Sequence, residues 1–170
     1  EVRLAGLYRF RDSYTRGTGH FRRGLGGIAD EEDGVAIAAP QIGYSLRIFV
    51  VSGKVFDERF VRGKGMPDGE ETEVKDLVFI NPRLTKLSKK KEWKHEGCLS
   101  VRPLWGQVER SVNATIEAHD ERGEKFTRGA GGLLAHIFQH EVDHLEGTLF
   151  IDSAKNIEDL PPEHIDVNKE

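Results

Sequence analysis

The segment 131–146 constrains the fold of this chain more than any other feature, because it alone has a clear helical pattern. Apolar residues recur there at intervals of three and four, as on one face of an amphipathic helix. Gly147 follows the segment and supplies a typical helix stop. Leu133, Ile137 and His140 fall on one side of the helix, and we expect that side to face the interior.

The stretch QHEVDHLEG, residues 139–147, places two histidines on this helix. Side chains four residues apart differ by about 40° in direction, so His140 and His144 can bind one metal ion. Glu141 projects beside them, where it can move a proton without binding the metal. This is the HExxH pattern of metal-dependent hydrolases. The alternative, two surface histidines, fits poorly with an inward face because unpaired histidines are costly there.

Two histidines do not complete a catalytic metal site, which usually has three protein ligands and one open position. A histidine three residues after Gly147 would supply the third ligand, but Phe150 stands there. Glu158 or Glu163 could serve as in other zinc proteases, although both lie in a segment with little helical pattern. The remaining candidate is Cys98 in HEGCLS, whose thiolate would bind iron(II), zinc, nickel or cobalt.

A third segment, GVAIAAPQIG at residues 34–43, combines small residues with a single amide, Gln41. Small side chains let a substrate backbone lie close to the protein as an added strand. Gln41 could then donate a hydrogen bond to an oxyanion as a carbonyl becomes tetrahedral. Taken alone, such a segment is more typical of a structural turn.

Three segments resemble, in order, the three motifs of the peptide deformylase family: GVAIAAPQIG, EGCLS and QHEVDHLEG. The resemblance covers about residues 34–153. The resemblance implies hydrolytic removal of the formyl group from N-formyl-methionine at the start of new polypeptides. It implies an α+β fold in which antiparallel sheets surround a central C-terminal metal-binding helix. It also implies one divalent metal ion, with iron(II) expected and zinc, nickel or cobalt as alternatives.

The resemblance also implies roles for individual residues. Glu141 corresponds to the general acid/base, and Gln41 and the backbone N–H of Leu99 correspond to the oxyanion donors. The implied metal ligands are Cys98, His140 and His144. The residues implied to bind the substrate are Val35, Ala36, Gly97, Leu133, His136 and Ile137. Glu96 and Arg110 correspond to a pair that supports the strand bearing the cysteine.

Three positions depart from the family pattern. Ala36 replaces the second glycine of the first motif, and we expect its methyl group to fit if its φ is negative. Arg102 separates Val101 from Pro103, which leaves the conformation of that rim open. His136 stands at a pocket position that is more often apolar or arginine. None of these changes removes a proposed catalytic group.

Outside the helix, the pattern from residue 34 to 126 favours β-strands. The segments 46–52 and 77–84 are apolar and β-branched, as strands packed on a core are. The segment 113–128 predicts a hairpin with its turn at Glu121-Arg122-Gly123. The lysine-rich stretch 84–94 predicts a solvated strand or turn.

The length of 170 residues predicts one domain over residues 1–170, with residues 153–170 as a surface tail. Residues 1–33 contain glycines that break any helical period.

Composition argues against two classes of partner. The net charge of −4 gives no reason to expect a nucleic-acid or membrane partner. No apolar run reaches the roughly 18 residues of a membrane-spanning helix. The single cysteine predicts a reducing compartment. The expected location is a bacterial-type cytoplasm, with an organellar origin as the alternative.

The expected partners are nascent N-formyl-methionyl peptides. Transient association with the ribosome stays open, but the tail is neither basic nor helical, so we expect no docking helix there. Two other functions also stay open: a zinc protease whose third ligand is Glu158 or Glu163, and a silent relative that only binds formylated or processed N-termini.

Overall fold

A computed structural model describes residues 34–57 and 75–159 of the chain. Its strands are β1 (Ala36–Ala38), β2 (Ile48–Val51), β3 (Leu77–Leu87), β4 (Lys91–Gly97), β5 (Leu104–Ser111), β6 (Asn113–His119), β7 (Lys125–Gly131) and β8 (Lys155–Asp159). One α-helix, α1, spans Gly132–Leu145 within these residues. The predictions for residues 1–33 and for the tail residues 160–170 lie outside the described residues, as does the segment 58–74.

Five strands form the larger sheet, in the order β1-β2-β3-β6-β7, and all neighbouring pairs are antiparallel. The strands predicted at 46–52 and 77–84 correspond to β2 and to the first part of β3. The predicted hairpin is β6 and β7, paired from Asn113 opposite Gly131 to His119 opposite Lys125. These predictions are confirmed, and the sheet is built mostly from chain neighbours.

An aromatic cluster joins α1 to this sheet. Phe49 and Phe79 are directly paired on β2 and β3, and their rings stack with centroids 4.6 Å apart. Phe138 of α1 meets Phe79 edge-on at 5.1 Å, and all three side chains are fully buried. Burial of one such side chain contributes about 1.5–3 kcal/mol to the free energy of unfolding. The cluster therefore stabilises the packing of α1 on the sheet.

The helix α1 agrees with the predicted segment 131–146 and ends as the sequence predicts. Gly147 has φ +78°, its N–H bonds to the carbonyl of His144, and Thr148 N–H bonds to the carbonyl of Asp143. This Schellman arrangement satisfies carbonyls at the end of the helix. The prediction of an inward face is wrong for Leu133, which is 44% exposed because it precedes Ala135, the first buried residue of the helix.

The smaller sheet has the antiparallel order β4-β5-β8. The first part of the predicted surface tail is the edge strand β8, although all of its residues are exposed as a surface segment would be. The lysine-rich stretch 84–94 forms the end of β3, a turn and the start of β4, so its prediction as a solvated strand and turn is confirmed. Within the described ranges, none of the helices has the length and apolarity needed to cross a bilayer.

Candidate metal centre

The helix and the strand β4 bring three metal-ligand side chains together. His140 and His144 lie one turn apart on α1, and Cys98 follows directly after β4. Cys98 Sγ lies 3.0 Å from His144 Nε2, which lies 3.2 Å from His140 Nε2. The three ligand atoms all fall within 4.8 Å of one another, and they form the one such group found among the described residues.

The donor set fits a divalent transition metal. A thiolate with two imidazoles suits zinc, iron, nickel or cobalt, and three protein ligands leave a position for water or substrate. Cys98 and His144 are buried and His140 is half-buried, so an ion bound there would be largely shielded from bulk solvent. Among the described residues, Cys98 completes the group. Glu158 lies exposed on β8, opposite Trp105, which argues against Glu158 as the third ligand of a zinc protease, and Glu163 lies outside the described residues.

Hydrogen bonds within this group shift the pKa values of Cys98 and His140. Burial raises the pKa of the Cys98 thiol, but hydrogen bonds with His140 and His144 outweigh it, and the pKa falls to about 5. Burial lowers the pKa of His140, but hydrogen bonds with Cys98 and Glu96 outweigh it, and the pKa rises to about 10. The thiolate is therefore available at neutral pH, and binding of a metal would release the imidazole proton.

Glu141 lies between the two histidines in the chain, and its side chain is buried with 4% of its surface exposed. Its Oε2 has no hydrogen-bond partner among the described residues. Burial raises the pKa of this carboxyl to about 7, against the opposing charges of His140 and His144. A carboxyl group with a pKa near neutrality is suited to accept and return a proton.

Gln41 lies in a 3₁₀ helix, Ala39–Ile42, that follows the edge strand β1. Its Oε1 accepts a hydrogen bond from the backbone N–H of Ala38 at 2.8 Å. Its Nε2 donates to Ser100 Oγ at 3.1 Å and approaches Cys98 Sγ at 3.5 Å. The amide N–H groups therefore point toward the metal-ligand group. Leu99, the other proposed oxyanion donor, immediately follows Cys98 and begins the 3₁₀ helix Leu99–Val101.

The buried carboxylate of Glu96 supports the site through a hydrogen bond with His140. Glu96 accepts hydrogen bonds from Arg110 Nε at 2.6 Å, His136 Nε2 at 2.5 Å and His140 Nδ1 at 2.9 Å. Burial favours the neutral acid, but the bonds from these three residues outweigh it and hold the pKa of Glu96 well below its usual range. Arg110 also donates from Nη1 to Asp143 Oδ2 at 2.6 Å, which ties β5 to α1.

Three of the proposed substrate-binding residues, Val35, Ala36 and Gly97, lie on or beside the strands β1 and β4. Ala36 is the first residue of β1, an edge strand of the larger sheet, and Val35 directly precedes it. Apart from glycine, positive φ occurs in the described ranges only at Asn81 and Asn156, so Ala36 meets the condition set for its methyl group. Gly97 lies against Trp105: a Cβ added there would be 2.7 Å from the ring atom Cε3.

The three proposed pocket residues of α1 also differ from one another. Ile137 is buried, Leu133 is largely exposed, and the His136 ring is bonded to Glu96. The family resemblance did not indicate this bond, which forms because the Glu96 side chain of β4 reaches His136 on α1.

Three residues of this region were missed in the sequence analysis. Gln139 is buried, and its amide exchanges two hydrogen bonds with the backbone of Ser111, at 3.0 and 2.9 Å. Asp143 binds Arg110, and Ser100 binds Gln41. All three lie inside or directly beside the motifs. Their positions in those motifs were the available signal, but their partners come from distant segments of the chain.

Comparison with known proteins agrees with this geometry. A family model described as polypeptide deformylase matches residues 23–159. A peptide deformylase of Desulforudis audaxviator is 40% identical over 124 residues, which cover 73% of this chain and 69% of that protein. A peptide deformylase of Pseudothermotoga lettingae is 43% identical over 120 residues, which cover 71% of this chain and 58% of that protein.

Solved structures give the same result. A peptide deformylase from Synechococcus elongatus in complex with actinonin superposes with a TM-score of 0.64 at 31% identity, covering 81% of this chain and 68% of that one. Arabidopsis thaliana peptide deformylase 1B with a bound inhibitor gives 0.63 at 33% identity, covering 81% and 70%. The chain therefore belongs to the peptide deformylase family, hydrolases that remove the N-formyl group from new polypeptides.

Proposed function

We propose that this chain is an active deformylase that hydrolyses N-formyl-methionyl peptides to formate and a free amino terminus. The observation that carries the proposal is the group of Cys98, His140 and His144, with ligand atoms within 4.8 Å of one another and the buried Glu141 beside them. We infer that these three residues hold the metal and that iron(II) is the native ion. When bound there, a divalent ion supplies a Lewis acid that polarises a carbonyl and lowers the pKa of water.

Glu141 moves the proton in this mechanism. Its carboxylate accepts a proton from water as the water oxygen bonds to the formyl carbon. The carboxyl then gives that proton to the departing amine nitrogen as the carbon–nitrogen bond breaks. Carbon has gained a hydroxyl and nitrogen a hydrogen, so one water is consumed for each formate released. The unpaired Oε2 and the pKa of about 7 support this role.

Gln41 and the Leu99 amide stabilise the oxygen that becomes negative during the attack. The amide of Gln41 has its oxygen bonded to Ala38 N–H, which leaves its N–H groups on the side of Cys98. Preorganised donors of this kind lower the barrier because they need no rearrangement as charge develops. The backbone N–H of Leu99 adjoins the ligand Cys98 and is proposed as the second donor.

The formyl group is small, so specificity must come from the rest of the substrate. We propose that the peptide backbone pairs with the edge strand β1 at Val35 and Ala36 and lies against Gly97. The methionine side chain then contacts Leu133, His136 and Ile137 on α1. The large exposed fraction of Leu133 suits a residue that a ligand covers.

The expected partners are nascent formylated chains, in a bacterial cytoplasm or in an organelle. A relative from Arabidopsis thaliana is a chloroplastic/mitochondrial peptide deformylase, 38% identical over 71% of this chain, so both settings stay within the proposal. A transient association with the ribosome fits this substrate, and we expect no docking helix in the tail.

Formate release tests the proposal directly. The protein is purified without oxygen, loaded with iron(II), and given a formyl-methionyl peptide, with the matching acetyl-methionyl peptide as control. We expect formate from the first peptide and negligible cleavage of the second. Binding of the formyl peptide without formate release, at full metal occupancy, would favour a relative that only binds amino termini.

A further inference from the structure

Glu96 is the acceptor for four donors, and each of its oxygens accepts two. Oε1 accepts from Arg110 Nε at 2.6 Å and from His136 Nε2 at 2.5 Å. Oε2 accepts from Arg110 Nη2 at 3.1 Å and from His140 Nδ1 at 2.9 Å. A carboxylate offers about four lone-pair positions, so the acceptor capacity of Glu96 is filled.

The four bonds hold the carboxylate from two directions. Arg110 approaches from β5, while His136 and His140 approach from successive turns of α1. Only 3% of the Glu96 side chain and 15% of each histidine side chain are exposed, so water cannot readily replace a lost donor. Hydrogen bonds to an ionised group in such surroundings are short and strong, and three of these four bonds are 2.5–2.9 Å long.

The bond to Glu96 determines which nitrogen of His140 faces the metal. Because Nδ1 is bonded to Oε2, Nε2 is the ring nitrogen that faces the ligand group, 3.2 Å from His144 Nε2 and within 4.8 Å of Cys98 Sγ. Ligating histidines depend on such a partner for the orientation of the ring and for their basicity.

We propose that His136 is a positioning residue, which orients the metal ligand His140 by fixing the Glu96 carboxylate between them. His136 donates a hydrogen bond to Oε1 and His140 donates one to Oε2, so each histidine holds one oxygen of the carboxylate in place. Without His136, Oε1 keeps only Arg110 Nε, and the carboxylate can turn toward the guanidinium and away from His140. The inference rests on the proposed metal site, and it gives His136 a role beyond contact with the methionine side chain.

The test is a cobalt(II) titration of the metal-free protein, with a competing chelator and with the absorption of the cobalt–thiolate complex as the readout. We expect His136→Leu to weaken cobalt binding roughly 10- to 100-fold and to shift the absorption bands. His136→Gln, whose amide nitrogen can reach the position of Nε2, should restore most of the affinity. His136→Asn, which is shorter, should not.

His95→Leu is the matched control. His95 adjoins Glu96 in the chain, but it is exposed and alternation places it on the opposite face of β4, so parental affinity is expected. Thermal unfolding of each metal-free variant checks its fold, and the Gln and Asn variants decide the result if the Leu variant does not fold. Parental cobalt affinity in His136→Leu, or equal losses in the Gln and Asn variants, would overturn the inference. Failure of the parent to form a cobalt–thiolate complex would instead overturn the proposed function.

Discussion

The side-chain amide of Gln41 donates from Nε2 to the hydroxyl oxygen of Ser100 at 3.1 Å, across 59 residues of chain. This bond holds the amide nitrogen beside the metal-ligand group while Ala38 N–H holds the amide oxygen. A donor that is held in place before the reaction stabilises developing charge better than one that must rotate into position.

Loss of the Ser100 hydroxyl should therefore slow catalysis without weakening substrate binding. One neutral hydrogen bond contributes about 1 kcal/mol, so we expect Ser100→Ala to lower kcat by roughly fivefold with KM unchanged. Thr85→Val removes another exposed hydroxyl that donates one hydrogen bond, to the carbonyl of Thr115, and should keep the parental kcat. Steady-state kinetics of formate release measures both, and an equal rise in KM would contradict the role given to Ser100.

Removal of Gln41 itself should have a much larger effect. Deletion of one oxyanion donor typically costs about 100- to 1,000-fold in kcat, and we expect Gln41→Ala to fall in this range. Metal content must be measured on the same sample, because Gln41 Nε2 also approaches Cys98 Sγ. A kcat within about threefold of the parent at equal metal content would show that Gln41 does not stabilise the oxyanion.

Cys98→Ser should separate the proposed ligand set from that of a zinc protease. The thiolate is one of three ligands, so cobalt or iron affinity should fall by more than the roughly 100-fold that loss of a supporting residue can cause. Metal analysis after dialysis against a chelator gives the result. Full retention of the ion by the serine variant would mean that another residue completes the site.

Removal of Arg110 should strongly destabilise the fold, because it leaves the buried Glu96 carboxylate without its guanidinium partner. The side chains of Arg110 and Glu96 are 11% and 3% exposed, and removal of one partner of such a pair typically costs about 3–5 kcal/mol. We expect Arg110→Met to lower the free energy of unfolding in urea by this amount. Arg83→Met, which breaks the exposed pair with Glu117, should leave the urea midpoint unchanged. Equal midpoints for the two variants would contradict the assignment.

Gly97 and Trp105 should be energetically coupled. A Cβ at position 97 would lie 2.7 Å from Trp105 Cε3, so Gly97→Ala forces the indole ring to move and should cost about 1–3 kcal/mol. The same change in a Trp105→Leu background should cost clearly less, because the ring is gone. Urea unfolding of the four proteins forms a double-mutant cycle, and strictly additive costs would show that the ring is not the obstacle.

Much of this molecule was predictable because its chemistry lies in short local patterns. The spacing of His140, Glu141 and His144 on a helix depends only on helical geometry, and α1 has that geometry. Position 150 has no histidine, so the sequence left Cys98 as a candidate third ligand, and in the structure Cys98 Sγ lies 3.0 Å from His144 Nε2.

Other features were not predictable because they depend on contacts between distant segments. The strand β8 has a single apolar residue, Ile157, and exists through pairing with β5 rather than through an alternating pattern. The family resemblance gave His136 a pocket position, but the direction of its ring depends on Glu96, 40 residues away on the strand β4. The exposure of Leu133 depends on where the packed face of α1 begins.

The most direct test of the proposed chemistry is formate release from a formyl-methionyl peptide by the parent and by Glu141→Gln, at equal and measured iron(II) content. The amide keeps the shape of the carboxyl group but cannot accept the proton. We expect the parent to release formate and the variant to lose at least about 100-fold in kcat while it keeps its metal. Equal rates in the two proteins, or no release by the iron-loaded parent, would contradict the central role of Glu141.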